Sequence, residues 1–135
     1  GLYRQAEDII VNGGVQFAQI DVGRIGGITP AFRVRQLCEE RGVHYVNHTF
    51  KSHLSVAASL HVFATNPDFR LCEYPAAGSP LSERLASHVE RDADGMVRAP
   101  EAPGLGVTVD MDAVREFYAP VRIDVAGETL GFDAP

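Results

Sequence analysis

The sequence of 135 residues predicts an α/β fold in which helices alternate with parallel strands. Two observations favour this fold. Apolar residues alternate between helical and strand spacing as far as Pro75. Asp21, His48 and Glu73, each at the end of a predicted strand, are 27 and 25 residues apart. This repeat indicates successive βα units, since parallel strands need a long crossover, usually a helix.

The first predicted helix is "LYRQAEDIIVN", whose apolar residues recur at helical spacing before two glycines. The strand "VQFAQID" follows and ends at Asp21, and "VGRIGGI" is expected to be a glycine-bearing loop. Thr29 is expected to cap the next helix, with Pro30 at its first helical position and Gly42 at its end.

The second strand, "VHYVNH", ends at His48, and the next helix is "SHLSVAASLHVFA". A third strand, "FRLCEY", is predicted before Pro75. Beyond it we expect a hairpin at Asp94–Gly95, a short helix capped by Asp110 and a last hairpin in "VRIDVAGETLGF". These later elements are too short for a second core, so they are interpreted as a C-terminal extension.

Composition narrows the functional classes. With 12 basic and 18 acidic residues the net charge is -6, which argues against a nucleic-acid partner. No apolar stretch approaches the roughly 20 residues of a membrane helix, and no signal peptide opens the chain, so we expect a cytoplasmic protein without a membrane partner. Cys38 and Cys72 are interpreted as structural residues in a reducing compartment.

An acid, an imidazole and a second acid are predicted at the carboxyl ends of three successive strands. Function in α/β folds lies at these ends, and neighbouring strands are about 4.8 Å apart. Asp21 could therefore reach His48 and fix its tautomer, which would leave the other ring nitrogen as a general base. Glu73 could contact a substrate or a metal. The alternative is that these are ordinary polar residues at strand ends.

The stretches "QIDVGRIGGIT", "VNHTF", "CEYP" and "GMVRAPEAPGLGV" resemble the second half of the barrel in the enolase superfamily, mandelate racemase subgroup. The resemblance implies the C-terminal portion of a TIM-type (β/α) barrel, about three βα units, over residues 1–118. Residues 119–135 would be a C-terminal extension with no motif that we can place.

The resemblance also implies roles for the three strand-end residues. His48 would be the base that moves the proton α to a substrate carboxylate, and Asp21 would be its dyad partner. Glu73 would hydrogen-bond the substrate carboxylate as the enolate forms. The loop residues Asn47, Lys51 and Arg24 are further candidates for substrate binding.

The implied cofactor is Mg²⁺, but the family's three carboxylate ligands lie on strands that have no counterpart here, so no metal ligand is assigned to this chain. A complete barrel needs about 250 residues. We therefore expect a piece of a longer enzyme, inactive alone, whose substrate is a small carboxylate or sugar acid. Half a barrel leaves strand edges unpaired, which favours association as a homo-oligomer.

Within the subgroup, dehydration of a sugar acid is the first hypothesis, with racemisation or cycloisomerisation as alternatives. A catalytically silent half-barrel that only associates with itself or a partner is a hypothesis of a different class. A third is a small flavodoxin-like binding module that uses Gly26 and Gly27.

Overall fold

The structure, a computed structural model, describes residues 2–132. Its elements, in chain order, are α1 (Leu2–Asn12), β1 (Phe17–Ile20), α2 (Val22–Ile25), α3 (Ile28–Arg41), β2 (His44–Asn47), α4 (His53–Phe63), α5 (Pro80–Arg84), α6 (Met111–Glu116), β3 (Val121–Val125) and β4 (Glu128–Phe132).

Strands β1 and β2 form a parallel pair, with Phe17 opposite His44 and Ile20 opposite Asn47. Helix α3 connects them, as the alternating pattern predicts. One core cluster joins α1, α3, α4 and this strand pair around residues such as Val34 and Tyr45, which are almost inaccessible to solvent. The pairing places the carboxyl ends of both strands at one edge.

The predicted third strand is wrong. Within residues 2–132, the segment from Phe69 to Tyr74 has no strand pairing. Its peptide groups at Glu73 bond instead to the side chain of Asn47 on β2. A side chain therefore occupies the place that a backbone ladder would take.

The region after β1 also differs from expectation. Residues 22–25 form the short helix α2 rather than an irregular loop, because the Asp21 carboxylate caps it. Helix α3 begins at Ile28, one residue before the predicted cap Thr29, and follows Gly27. Gly27 has a φ of 114°, a conformation that favours glycine and turns the chain directly into the helix.

The later elements are short. A single antiparallel bridge, Arg91 to Val97, takes the place of the hairpin strands expected at Asp94–Gly95. Asp110 caps α6 as expected, and α5, which the sequence analysis did not identify, begins after Ser79.

Strands β3 and β4 pair antiparallel. Residues 133–135 of the predicted extension lie outside the described residues, and the domain boundary at residue 118 stays a prediction. In the described part of the chain, every helix is too short or too polar to cross a membrane.

Candidate active site

The ladder between β1 and β2 brings two of the predicted site residues to one edge. Ile20 lies opposite Asn47, and the His48 N–H donates to the Ile20 carbonyl at 2.9 Å. Asp21 and His48 are the next residues on each strand. Their shared position follows from backbone pairing alone.

The His48 imidazole lies beside Glu73 rather than Asp21. Its Nδ1 is 2.9 Å from Glu73 Oε2, and the two side chains are 31% and 34% exposed. The contact lacks the alignment of a hydrogen bond, so it is better described as a close polar contact. Among the described residues no ion pair joins His48 to Asp21, which corrects the expected dyad geometry.

Both oxygens of the Asp21 carboxylate contact Arg24. Its Oδ1 accepts the Arg24 backbone N–H at 3.1 Å, and its Oδ2 lies 3.4 Å from Arg24 Nε. The first contact caps helix α2. A carboxylate that satisfies a helix N-terminus is held by several donors at once, which explains why adjacent strand ends alone did not pair Asp21 with His48.

The Glu73 carboxylate is anchored by the backbone. Its Oε2 accepts the Thr49 N–H at 2.6 Å, a short bond of the charge-assisted kind. Thr49 is only 2% exposed, so water competes little for this N–H. Glu73 and His48 are therefore brought together by residues that follow β2 directly.

The structure gives the Asn47 side chain partners within the protein, where the sequence predicted a substrate contact. The side chain is completely buried, its Nδ2 donates to the Glu73 carbonyl at 2.9 Å, and its Oδ1 accepts the Glu73 N–H at 3.0 Å. Both ends of the carboxamide are in use. The Asn47 side chain therefore binds the Glu73 backbone rather than a ligand.

The Phe50 ring lies between Arg24 and His48. The Arg24 guanidinium carbon lies 5.9 Å from the centre of the Phe50 ring, whose centre is 5.0 Å from that of His48 in an edge arrangement. Phe50 is 47% exposed and was not among the residues predicted for the site. A large aromatic two residues after the candidate base was the available signal. Lys51 is exposed, and its substrate contact stays a prediction.

A cavity of about 350 Å³ lies against α1 and β1 and reaches His48. Asp21, Arg24 and His48 line it together with apolar residues of α1 and β1. The cavity therefore offers one basic side chain, one acid and an imidazole beside an apolar wall. This is a suitable environment for a small anionic molecule with a carbon skeleton.

The residues present do not fit a magnesium site. Mg²⁺ requires several oxygen ligands in octahedral array. The Asp21 carboxylate already accepts the Arg24 N–H, and the Glu73 carboxylate already contacts Thr49 and His48. Within residues 2–132, the one group of three close metal-ligating side chains is His53, Glu83 and His88.

That second cluster is also a poor metal site. His53 is 8% exposed, and its Nδ1 accepts the Val89 N–H at 3.1 Å. A neutral ring that accepts at Nδ1 carries its proton on Nε2, which then has no lone pair for a metal. His53 stacks on His88 with ring centres 4.1 Å apart, and burial together with His88 lowers the pKa of His53.

The sequence pattern of a known family matches most of the chain. The pattern of the enolase C-terminal domain-like family covers residues 3–113. The chain belongs to this family. Its fold is accordingly of the TIM-barrel type, as the resemblance implied.

Individual relatives agree with this membership. A crystal structure of a predicted mandelate racemase from Rhodobacter sphaeroides is 43% identical, with a TM-score of 0.88 over 98% of this chain and 34% of that one. A D-galactonate dehydratase family member from Oceanicola granulosus is 36% identical over 78% of this chain and 27% of its own length. A D-galactarolactone cycloisomerase from Agrobacterium fabrum is 27% identical over 80% of this chain and 31% of its own length.

The chain thus spans between 27% and 34% of the length of these relatives. This enolase-superfamily chain contains the part of the C-terminal domain that carries His48 and Glu73.

Proposed function

We propose that this chain is part of an enzyme that removes the proton α to the carboxylate of a sugar acid and then eliminates water. The observation that carries the proposal is the contact of His48 Nδ1 with Glu73 Oε2, because His48 also lines the cavity. Relatives named as galactonate, mannonate and xylonate dehydratases support the choice of dehydration.

The two ring nitrogens of His48 have different roles in this chemistry: Nδ1 faces Glu73, and Nε2 moves the proton. Glu73 favours a proton on Nδ1, which leaves the Nε2 lone pair for the substrate. Nε2 takes the α-proton, and the electron pair of the C–H bond moves into the enediolate. The imidazolium then gives that proton to the departing β-hydroxyl, so that water leaves and an enol remains.

Arg24 has a supporting role in this proposal, and Asp21 helps to hold it through the contact of its Oδ2 with Arg24 Nε at 3.4 Å. The Arg24 side chain is 59% exposed and lines the cavity, where it offers a positive charge for a substrate carboxylate. Developing negative charge on that carboxylate is stabilised best by groups already in place. Magnesium dependence, general in the superfamily, is proposed for the whole enzyme with ligands outside the described residues.

Cycloisomerisation is the second candidate, because one relative is named as a D-galactarolactone cycloisomerase. It begins with the same removal of an α-proton. Self-association and a cytoplasmic location stay predictions of the sequence. A silent half-barrel is the outcome if no exchange of an α-proton occurs.

The test is solvent exchange at the α-carbon of sugar acids in D₂O, followed by proton NMR, with the remainder of the barrel supplied. We expect His48→Asn to slow exchange at least about 100-fold, as loss of a general base does. His44→Asn is the matched control, because His44 starts the same strand and stacks on Phe69 away from the cavity. Exchange at the parental rate in His48→Asn would remove His48 from the mechanism.

A further inference from the structure

Three consecutive residues, Asn47, His48 and Thr49, all contact Glu73. Asn47 holds its peptide groups, the His48 ring lies against its carboxylate, and the Thr49 N–H donates to the same oxygen. We propose that Asn47 is a positioning residue for the reaction, which fixes Glu73 against His48 without touching the substrate. This inference rests on the proposed function.

A carboxamide suits this position because it has the same donor and acceptor as a peptide group. Asn47 Nδ2 donates at 2.9 Å to the Glu73 carbonyl, and Oδ1 accepts at 3.0 Å from the Glu73 N–H. The side chain thus imitates the backbone of a neighbouring strand. Aspartate would keep the acceptor but would bring a buried negative oxygen against a carbonyl oxygen, which is repulsive.

The pairing controls the carboxylate because it removes the freedom of the Glu73 backbone. With both peptide groups fixed, only the side-chain torsions of Glu73 remain, and the Thr49 N–H at 2.6 Å selects among them. Among residues 2–132, no strand pairs with the segment from Phe69 to Tyr74 and could hold Glu73 instead. Loss of the Asn47 carboxamide therefore releases the acid that faces His48.

The experiment compares Asn47→Asp and Asn47→Ala with Asn66→Ala. Asn66 is the matched control, since it is 6% exposed and donates at 3.0 Å to the carbonyl of Tyr45 on the same strand, away from the site. The first readout is hydrogen exchange of the Glu73 and Thr49 amides by NMR. The second is kcat and KM for α-proton exchange in the complete barrel.

We expect both Asn47 variants to lower kcat by about 100-fold, the scale expected for a misplaced catalytic group, with KM changed less than about twofold. In Asn47→Ala the Glu73 and Thr49 amides should exchange at least about tenfold faster relative to the other amides of β2. Asn66→Ala should lower stability while kcat stays within about twofold of the parent.

Two results would overturn the proposal. One is a parental kcat in a folded Asn47 variant. The other is an equal loss of kcat in Asn66→Ala, which would make the effect one of general stability. If the parent itself shows no α-proton exchange, the proposed function fails. Hydrogen exchange of the amides still tests whether Asn47 positions Glu73. Faster exchange at Thr49 in Asn47→Ala than in Asn66→Ala then supports the positioning, and equal exchange refutes it.

Discussion

Two tyrosines beside the site allow one chemical change to be tested in opposite environments. Tyr45 on β2 is 2% exposed, and its hydroxyl has no hydrogen-bond partner among the described residues. Tyr74 donates its hydroxyl to the Val89 carbonyl at 2.6 Å. We expect Tyr45→Phe to stabilise the protein and Tyr74→Phe to destabilise it.

The magnitudes follow from the hydrogen-bond inventory. An unpaired buried polar group costs about 1–3 kcal/mol, so its removal in Tyr45→Phe should raise the free energy of unfolding by about 1 kcal/mol or more. A typical hydrogen bond contributes about 1 kcal/mol, which Tyr74→Phe would lose while leaving the Val89 carbonyl unpaired. The two variants should therefore differ by about 2 kcal/mol.

Urea unfolding followed by circular dichroism measures this difference. With a slope near 2 kcal/mol per molar urea, the midpoints should be separated by about 1 M. Equal destabilisation by the two variants would refute the reasoning, because it would mean that the Tyr45 hydroxyl has a partner. The packing of β2 behind His48 would then differ from the one described.

Two further predictions concern titration. Burial raises the pKa of the Cys38 thiol to about 11 from an ordinary 9.0, so its contribution to stability is complete below pH 9 and is lost as pH rises through 11. Cys38→Ala should flatten that alkaline decline in urea unfolding; an unchanged decline would contradict the assignment. For His53 the pKa shift, and with it the pH dependence of stability, has the opposite direction. Burial and His88 lower its pKa, against Glu83 and Glu90, so stability is complete above the ordinary value of 6.5 and is lost as pH falls through the lowered one. His53→Asn keeps an acceptor for the Val89 N–H but has no proton to gain, so its free energy of unfolding should change less than the parent's between about pH 7.5 and about pH 5.5; parallel curves would argue against a neutral His53.

The sequence was informative where a single periodicity decides the structure. Apolar residues at helical spacing predicted α1, α3 and α4, and short apolar runs between turn residues predicted β1 and β2. The interval between Asp21 and His48 predicted a common edge, which the parallel register provides. These features depend on local spacing and on backbone pairing between neighbours.

Partners of polar side chains were harder to predict, since several donors compete for each acid. Nothing in the spacing says that Asp21 caps α2 and contacts Arg24 while Glu73 contacts His48. One error was avoidable. Residues 45 and 47 share one face of β2, and Tyr45 faces the core, so Asn47 should have been expected inside as well.

The two acids of the site are therefore not equivalent, and the reason is structural. Asp21 is fixed by a helix that starts immediately after it, so its position depends on α2 and Arg24. Glu73 lies in a segment without strand pairing, so its position depends on Asn47 and Thr49. Perturbing α2 should then alter the acid beside Arg24 and leave the His48–Glu73 contact intact, whereas perturbing Asn47 should do the reverse. Two separate sets of local contacts on one parallel strand pair therefore hold the two acids. Substitutions at Arg24 and at Asn47 can for this reason separate the contributions of Asp21 and Glu73 to any reaction that His48 performs.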